Sequence, residues 1–228
     1  MEPEPTVANA PAWVRGQLEP LAVPEDAAPM AAYMKDQFPF LGVKTPARRA
    51  ASKPLLSAAK AWTAHEILDV ADALMAEPER EFAQVAVDLV RANVKAVTSE
   101  DLDRLRHLIQ TKSWWDTVDA LAVHGVGAVV KSDRQLQVVM DQWVDDDDIW
   151  VARTAILHQL LWKTDTDATR LFHYCDVRAA DQEFFIRKAL GWALRQYART
   201  DPDRVRSYVE HNEERLSGLT KREALKHL

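Results

Sequence analysis

Thr111-Lys-Ser-Trp-Trp-Asp-Thr-Val-Asp119 places an indole, Trp115, four residues ahead of a carboxylate, Asp119. On a helix an i,i+4 pair shares one face, so the two groups point the same way. Downstream, Trp150-Val-Ala-Arg153 and Trp192-Ala-Leu-Arg195 repeat a Trp-x-x-Arg pattern at a spacing of 42 residues. A solenoid of paired helices repeats roughly every 40 to 47 residues and stacks equivalent positions side by side. Trp115, Asp119, Arg153, Trp192 and Arg195 are then expected on one surface. Taken singly, Trp115 is an ordinary core residue and Asp119 an ordinary solvated one. Their i,i+4 pairing and repeat-spaced partners favour a site.

Aromatics, a carboxylate and guanidinium groups converging in one groove make a site. Other chemistries lack their residues. The histidines have no His-Glu-x-x-His spacing and Cys175 is the only cysteine, so zinc is not expected. The Asp145–Asp148 run lacks the alternating ligands and central glycine of a calcium loop. No glycine-rich phosphate loop occurs, and neither metal nor cofactor is expected.

The elements that must position these residues read as helices. The chain has 228 residues, 47% hydrophobic and 28% charged, with six glycines and an abundance of helix formers. Expected helices run over 8–18, 24–37, 45–59, 63–76, 79–96, 99–110, 113–124, 132–144, from 148, 165–175, 181–199, 201–212 and from 220. Thr45, Ser99, Ser113, Asp148 and Thr220 are expected to open helices as caps. Gly125 and Gly127 are expected to break the chain. Trp114, about 100° round the helix from Trp115, is assigned to packing, as are Trp13, Trp62, Trp143 and Trp162; Trp150, three residues before Arg153, suits either the site or packing and is assigned to packing. Asp116 is read as orienting Arg153 or capping a turn. The fold expected is all-α, an α-solenoid (superhelix) of HEAT-like helical repeats. A disordered tail over 1–6 precedes a single domain over 7–228.

The net charge is −6 and the pI about 5.7, a poor balance for a nucleic-acid binder as a whole. Yet Lys44, Arg48, Arg49, Arg153, Arg187, Lys188, Arg195 and Arg199 fall near the aromatic positions. A basic face on an acidic body fits this pattern. The single cysteine excludes an intrachain disulfide. Met1-Glu-Pro-Glu-Pro5 has neither a basic nor an apolar signal region, and no apolar run is long enough to span a membrane. A cytoplasmic monomer is expected.

Met30-Ala-Ala-Tyr-Met-Lys-Asp-Gln-Phe-Pro-Phe-Leu-Gly-Val-Lys-Thr-Pro-Ala-Arg-Arg49 resembles the N-terminal signature of bacterial DNA alkylation repair glycosylases of the AlkD type. Ser113-Trp-Trp-Asp-Thr-Val-Asp119, Trp150 to Leu157, Glu183 to Ala198 and Leu219 to His227 resemble its later signatures, in the same order. The resemblance implies a HEAT-like solenoid that wraps double-stranded DNA. It also implies excision of cationic alkylated purines (3-methyladenine, 7-methylguanine, bulkier adducts) without base flipping. Trp115, Asp119 and Trp192 match the family's catalytic cluster, and Arg153 the arginine that supports it and the DNA backbone. Tyr33 and the Lys44-Thr45-Pro46 turn fall where the family touches DNA near the lesion. Arg195 and Arg199 are expected as further DNA contacts, on bacterial nucleoid DNA. Two competing readings are a non-catalytic binder of distorted DNA and a protein–protein scaffold, the commonest use of this architecture.

Overall fold

The computed structural model describes residues 4–228. Every regular element among them is helical, as expected of an α-solenoid of helical repeats. The chain separates into two compact units, one up to Lys112 and one from Ser113 onward.

The first unit holds α1 (Ala10–Leu18), α2 (Pro24–Tyr33), α3 (Thr45–Ala58), α4 (Ala64–Ala76), α5 (Arg80–Ala92) and α6 (Leu102–Gln110). Residues 1–3 of the expected tail lie outside the described residues. Beyond them Pro5 is buried, and the Thr6 amide donates to Asn9 Oδ1 at 2.7 Å. Trp13, Val14 and Leu18 bury the inner face of α1, and Ile67, Leu68, Ala71, Leu74 and Met75 that of α4. This i, i+3, i+4, i+7 spacing is how an amphipathic helix finds its core. Thr63 and Glu66 close a reciprocal capping box at the start of α4, which pairs two otherwise orphaned amides.

Several boundaries differ from expectation, each for a local reason. α2 stops at Tyr33 because Lys35 and Asp36 adopt left-handed conformations, with φ of 59° and 56°. Thr45 is the first helical residue of α3 rather than its cap, and Lys44 holds the extended cap position. Thr98, not Ser99, closes a capping box with Asp101 ahead of α6. The loop between α2 and α3 is pinned from beneath. The Glu81 carboxylate, fully buried, accepts the amides of Leu41, Gly42 and Val43 at 3.1, 2.9 and 3.0 Å. Gly42 has φ +89°, and a Cβ there would stand 2.0 Å from the Val23 carbonyl oxygen. Only glycine fits such a turn.

The second unit holds α7 (Trp115–Ala120), α8 (Gly127–Ser132), α9 (Gln137–Trp143), α10 (Ile149–Leu157), α11 (Ala168–Val177), α12 (Phe184–Tyr197), α13 (Pro202–His211) and α14 (Gly218–Ala224). α10 is its spine, with Val151 to Leu157 all buried. α7, α9, α11 and α12 pack against it, and α14 lies on α12. Asp148, Asp167, Asp201 and Ser217 cap α10, α11, α13 and α14 through their side chains. Asp148 was expected in this role, whereas Ser217 replaces the expected Thr220. Ser113 does not cap α7, whose cap position is held by Trp114 without a side-chain bond.

The expected break at Gly125 and Gly127 does not occur. The helix continues through a π-helical turn over Leu121–Val126 directly into α8. Gly127 is there for another reason. A Cβ on it would stand 2.2 Å from the His158 carbonyl oxygen, so glycine lets α8 touch the end of α10. Trp162 Nε1 seals this contact by donating to the Gly127 carbonyl at 3.0 Å.

Candidate active site

Three helices of the second unit meet at one ion pair. Arg153 of α10 donates from Nε to Asp119 Oδ1 at 2.7 Å and from Nη2 to Oδ2 at 2.8 Å. This is the two-pronged match of a planar guanidinium to a carboxylate. Its third nitrogen, Nη1, donates to the main-chain carbonyl of Phe185 on α12. The Arg153 side chain is only 5% exposed and that of Asp119 16%. The pair is therefore mostly dry, with a small opening on the carboxylate side.

Burial pushes the Asp119 carboxyl above its ordinary value. The hydrogen bonds and charge of Arg153 pull it down, and the neighbouring charge of Asp116 adds a smaller push upward. Desolvation of the charged form outweighs the partner. Asp116 thus acts on Asp119, while Arg153 is oriented by Asp119 itself and by the Phe185 carbonyl.

An aromatic cluster borders the pair. Trp114 lies with its ring centroid 5.7 Å from Trp150 and 5.1 Å from Phe185, and Trp150 and Phe185 are 4.8 Å apart. These tilted and edge-on contacts are worth about 0.5 to 1.5 kcal/mol each beyond area burial. The Phe185 ring also sits 5.9 Å from the Arg153 guanidinium carbon. Phe184 extends the cluster outward, edge-on to Phe185 at 5.4 Å and 51% exposed. The packing assigned to Trp114 and Trp150 takes place here, beside the ion pair. Trp13, Trp143 and Trp162 are buried and Trp62 is half-buried.

Trp115 opens α7 one turn before Asp119, half-buried. Trp192 is half-buried on α12, seven residues beyond Phe185. Seven residues are close to two full turns, so Phe185 and Trp192 share a face of that helix. Arg153 is 4% exposed and turned onto Asp119 and Phe185, and it braces the carboxylate. Arg195 is drawn to α14, where its Nη1 meets Glu223 Oε2 at 2.7 Å. Lys188 meets the other oxygen of Glu223 at 2.8 Å. Arg199 is exposed just past the end of α12.

The remaining residues expected at the site belong to the first unit. Tyr33, 69% exposed, ends α2. Lys44, Thr45 and Pro46 are exposed where α3 begins, and Lys44 pairs with Asp26 at 2.8 Å. Three contributors were invisible to sequence reasoning. The Phe185 carbonyl carries no side-chain signal, Trp114 reads as a packing residue, and nothing local to Glu223 points to Lys188 or Arg195. Among the described residues no group of three or more His, Cys, Asp or Glu is placed to hold a metal ion. No helix among them is long and apolar enough to cross a membrane.

No curated protein matches the chain. A solved structure described as "Predicted DNA alkylation repair enzyme from Enterococcus faecalis" is 34% identical to it. The two superpose with a TM-score of 0.85, over 91% of this chain and 96% of that one. The family model for the DNA alkylation repair enzyme matches residues 14–228. With nearly its whole length matched, and with a helical fold shared with a solved relative, the chain belongs to the DNA alkylation repair enzyme family.

Proposed function

We propose that the protein is a monofunctional DNA N-glycosylase that hydrolyses the glycosidic bond of cationic alkylated purines in duplex DNA. Its family makes DNA repair its field and DNA its partner. The finer reading rests on one observation, the held carboxylate of Asp119. Arg153 takes one lone pair from each oxygen at 2.7 and 2.8 Å. A carboxylate offers about four such sites, so acceptor capacity remains at its 16% exposed edge.

A purine alkylated on N3 or N7 is positively charged and leaves without protonation, so no general acid is needed. The task left to the protein is to stabilise positive charge on the deoxyribose as the bond breaks. Asp119 does so by its charge and orients the attacking water. Trp115 and Trp192 offer indole faces to the cationic base and sugar. Arg153 is a positioning residue that keeps Asp119 ionised and fixed. Tyr33, Lys44, Thr45 and Pro46 contact DNA near the lesion, and Arg195 and Arg199 its phosphates. The base is not flipped into a pocket, so 3-methyladenine, 7-methylguanine and bulkier adducts are all substrates. The protein works on nucleoid DNA in the cytoplasm as a monomer, without metal or cofactor.

A second reading draws on the same pair. A buried bidentate ion pair also serves as scaffold alone, which suits a non-catalytic binder of distorted DNA. The discriminating experiment follows release of 7-methylguanine from methylated duplex DNA by the wild type and by Asp119→Asn. Wild-type release that drops roughly 10²- to 10³-fold in the variant, with DNA binding retained, supports the glycosylase. Tight binding without release by the wild type supports the binder.

A further inference from the structure

The start of α5 carries two adjacent charged residues, Arg80 and Glu81, both fully buried. A buried charge is costly unless polar partners surround it. Glu81 holds the amides of Leu41, Gly42 and Val43. Arg80 holds the other end of the same loop. Its guanidinium carbon lies 3.9 Å over the Phe38 ring, and its own amide donates to the Pro39 carbonyl at 2.9 Å.

Arg80 also reaches a second segment. Its Nη1 donates to the main-chain carbonyl of Lys112 at 2.7 Å. Lys112 grips back, with Nζ donating to the carbonyl of Glu77 and, at 3.2 Å, to that of Pro78, directly ahead of α5. The ammonium is turned into the protein, where burial and then the charge of Arg80 hold it below its ordinary value. The Lys112 backbone has φ 49°, a left-handed conformation that a residue with a Cβ adopts only at a cost. Two side chains thus each grasp the other's stretch of main chain and hold a strained turn between them. Apolar side chains would fill the same space without desolvating two like charges, whereas hydrogen bonds add a fixed direction.

Both segments joined in this way lead to residues of the proposed chemistry. The loop over 38–43 separates Tyr33 from Lys44, Thr45 and Pro46. Lys112 stands three residues ahead of Trp115 and seven ahead of Asp119.

We propose that Arg80 and Lys112 are positioning residues, a clamp that fixes the 38–43 loop and the turn before α7 in one register. Neither side chain touches the reacting atoms. Misplacing a reacting group by about 1 Å costs on the order of 10²-fold in rate, so the clamp acts on turnover and not on the grip on undamaged DNA. The inference rests on the proposed function for the identity of the groups it positions.

The test compares the wild type with Lys112→Met, Lys112→Arg and Arg80→Lys. Met keeps the length of lysine and removes the donor, and Arg restores one. Single-turnover release of 7-methylguanine at saturating enzyme is expected to fall about tenfold or more in Lys112→Met and Arg80→Lys, and to stay within about threefold in Lys112→Arg. Affinity for undamaged duplex and its salt slope stay at the wild-type values. A slope lower by about 0.9 in Lys112→Met overturns the proposal, because Lys112 is then a direct phosphate contact. Release equal to that of the wild type overturns it as well. Should Arg80→Lys fail to fold, the Lys112 variants carry the test, since that residue is only half-buried.

Amide exchange gives a readout independent of the chemistry. Lys112→Met is expected to speed exchange roughly tenfold over 38–44 and over 111–117 together, with α1 and the thermal midpoint unchanged. Faster exchange around residue 112 alone overturns the clamp, whatever happens to release. A wild type that releases no 7-methylguanine overturns the hydrolytic reading, and the exchange result still decides the clamp.

Discussion

Replacing Arg153 by Met tests how the Asp119 pair is maintained. The substitution keeps most of the side-chain volume and removes two bonds of 2.7 and 2.8 Å to Asp119, together with the bond to the Phe185 carbonyl. Breaking a buried pair leaves the partner's charge without compensation, at a cost of about 3 to 5 kcal/mol. Here the cost depends on pH. The Asp119 carboxyl is already raised by burial, with Arg153 the main opposing influence, so its loss raises the carboxyl further. An acid whose folded pKa exceeds its unfolded value binds more protons in the folded state between the two values. Stability attributable to it is present below the unfolded value and falls as pH rises through the folded one. Arg153→Met is therefore expected to be more destabilising at pH 8 than at pH 5, by about 1.4 kcal/mol for each further pKa unit.

Urea unfolding of the wild type, Arg153→Met, Asp119→Leu and the double variant at both pH values measures this directly. A cost of 3 to 5 kcal/mol lowers Tm by roughly 6 to 20 °C in a chain of this size. The double variant is expected to recover about 2 kcal/mol or more of the summed single losses, since neighbours in one network couple by roughly 0.5 to 3 kcal/mol. Single losses that add to within about 0.5 kcal/mol, or that are equal at pH 5 and pH 8, would refute the reasoning.

The proposed chemistry needs Asp119 ionised, so the acid limb of kcat/KM is expected above the ordinary Asp value of 3.8. Arg153→Gln should move the limb further up, as read from pH–rate profiles on methylated duplex; an unmoved limb would assign it to another group. Glu223→Gln relaxes the hold on Lys188 and Arg195, which the carboxylate meets at 2.8 and 2.7 Å. Duplex affinity at low salt should rise, and the salt slope should steepen by up to about two. An unchanged slope would show that neither cation turns toward a phosphate.

Much of this architecture is written in the local chemistry of the sequence. Helix periodicity located α1, α4 and α5, and Asp148 and Asp201 marked their helix starts because a short acceptor beside an apolar run has few other uses. The 42-residue spacing relates Arg153 to Arg195, whereas Asp119 stands 34 residues from Arg153, and only the packing of α10 on α7 brings that pair together. The misreadings share a cause, which is that neighbours distant in sequence decided the outcome. Gly125 and Gly127 read as breakers, but close approach to His158 explains Gly127. Arg195 reads as a DNA contact, and only the packing of α14 on α12 reveals Glu223 beside it. The Phe185 carbonyl is common to every residue type, and no sequence pattern announces it.

The π-turn over Leu121–Val126 makes chain length itself a carrier of information. A π-turn behaves as one residue too many for an α-helix, accommodated as a bulge. It separates the phase of α8 from that of α7, which bears Asp119. Without the extra residue, everything beyond would rotate by about 100°. The bare side of Gly127 would swing away from the His158 carbonyl, and a side chain would arrive where there is no room for one. A single-residue deletion between Ala120 and Gly127 is thus more disruptive than most substitutions there, although it leaves a smoother helix. Relatives lacking that residue must seat α8 against α10 differently, so a one-position gap in an alignment marks a change of contact surface.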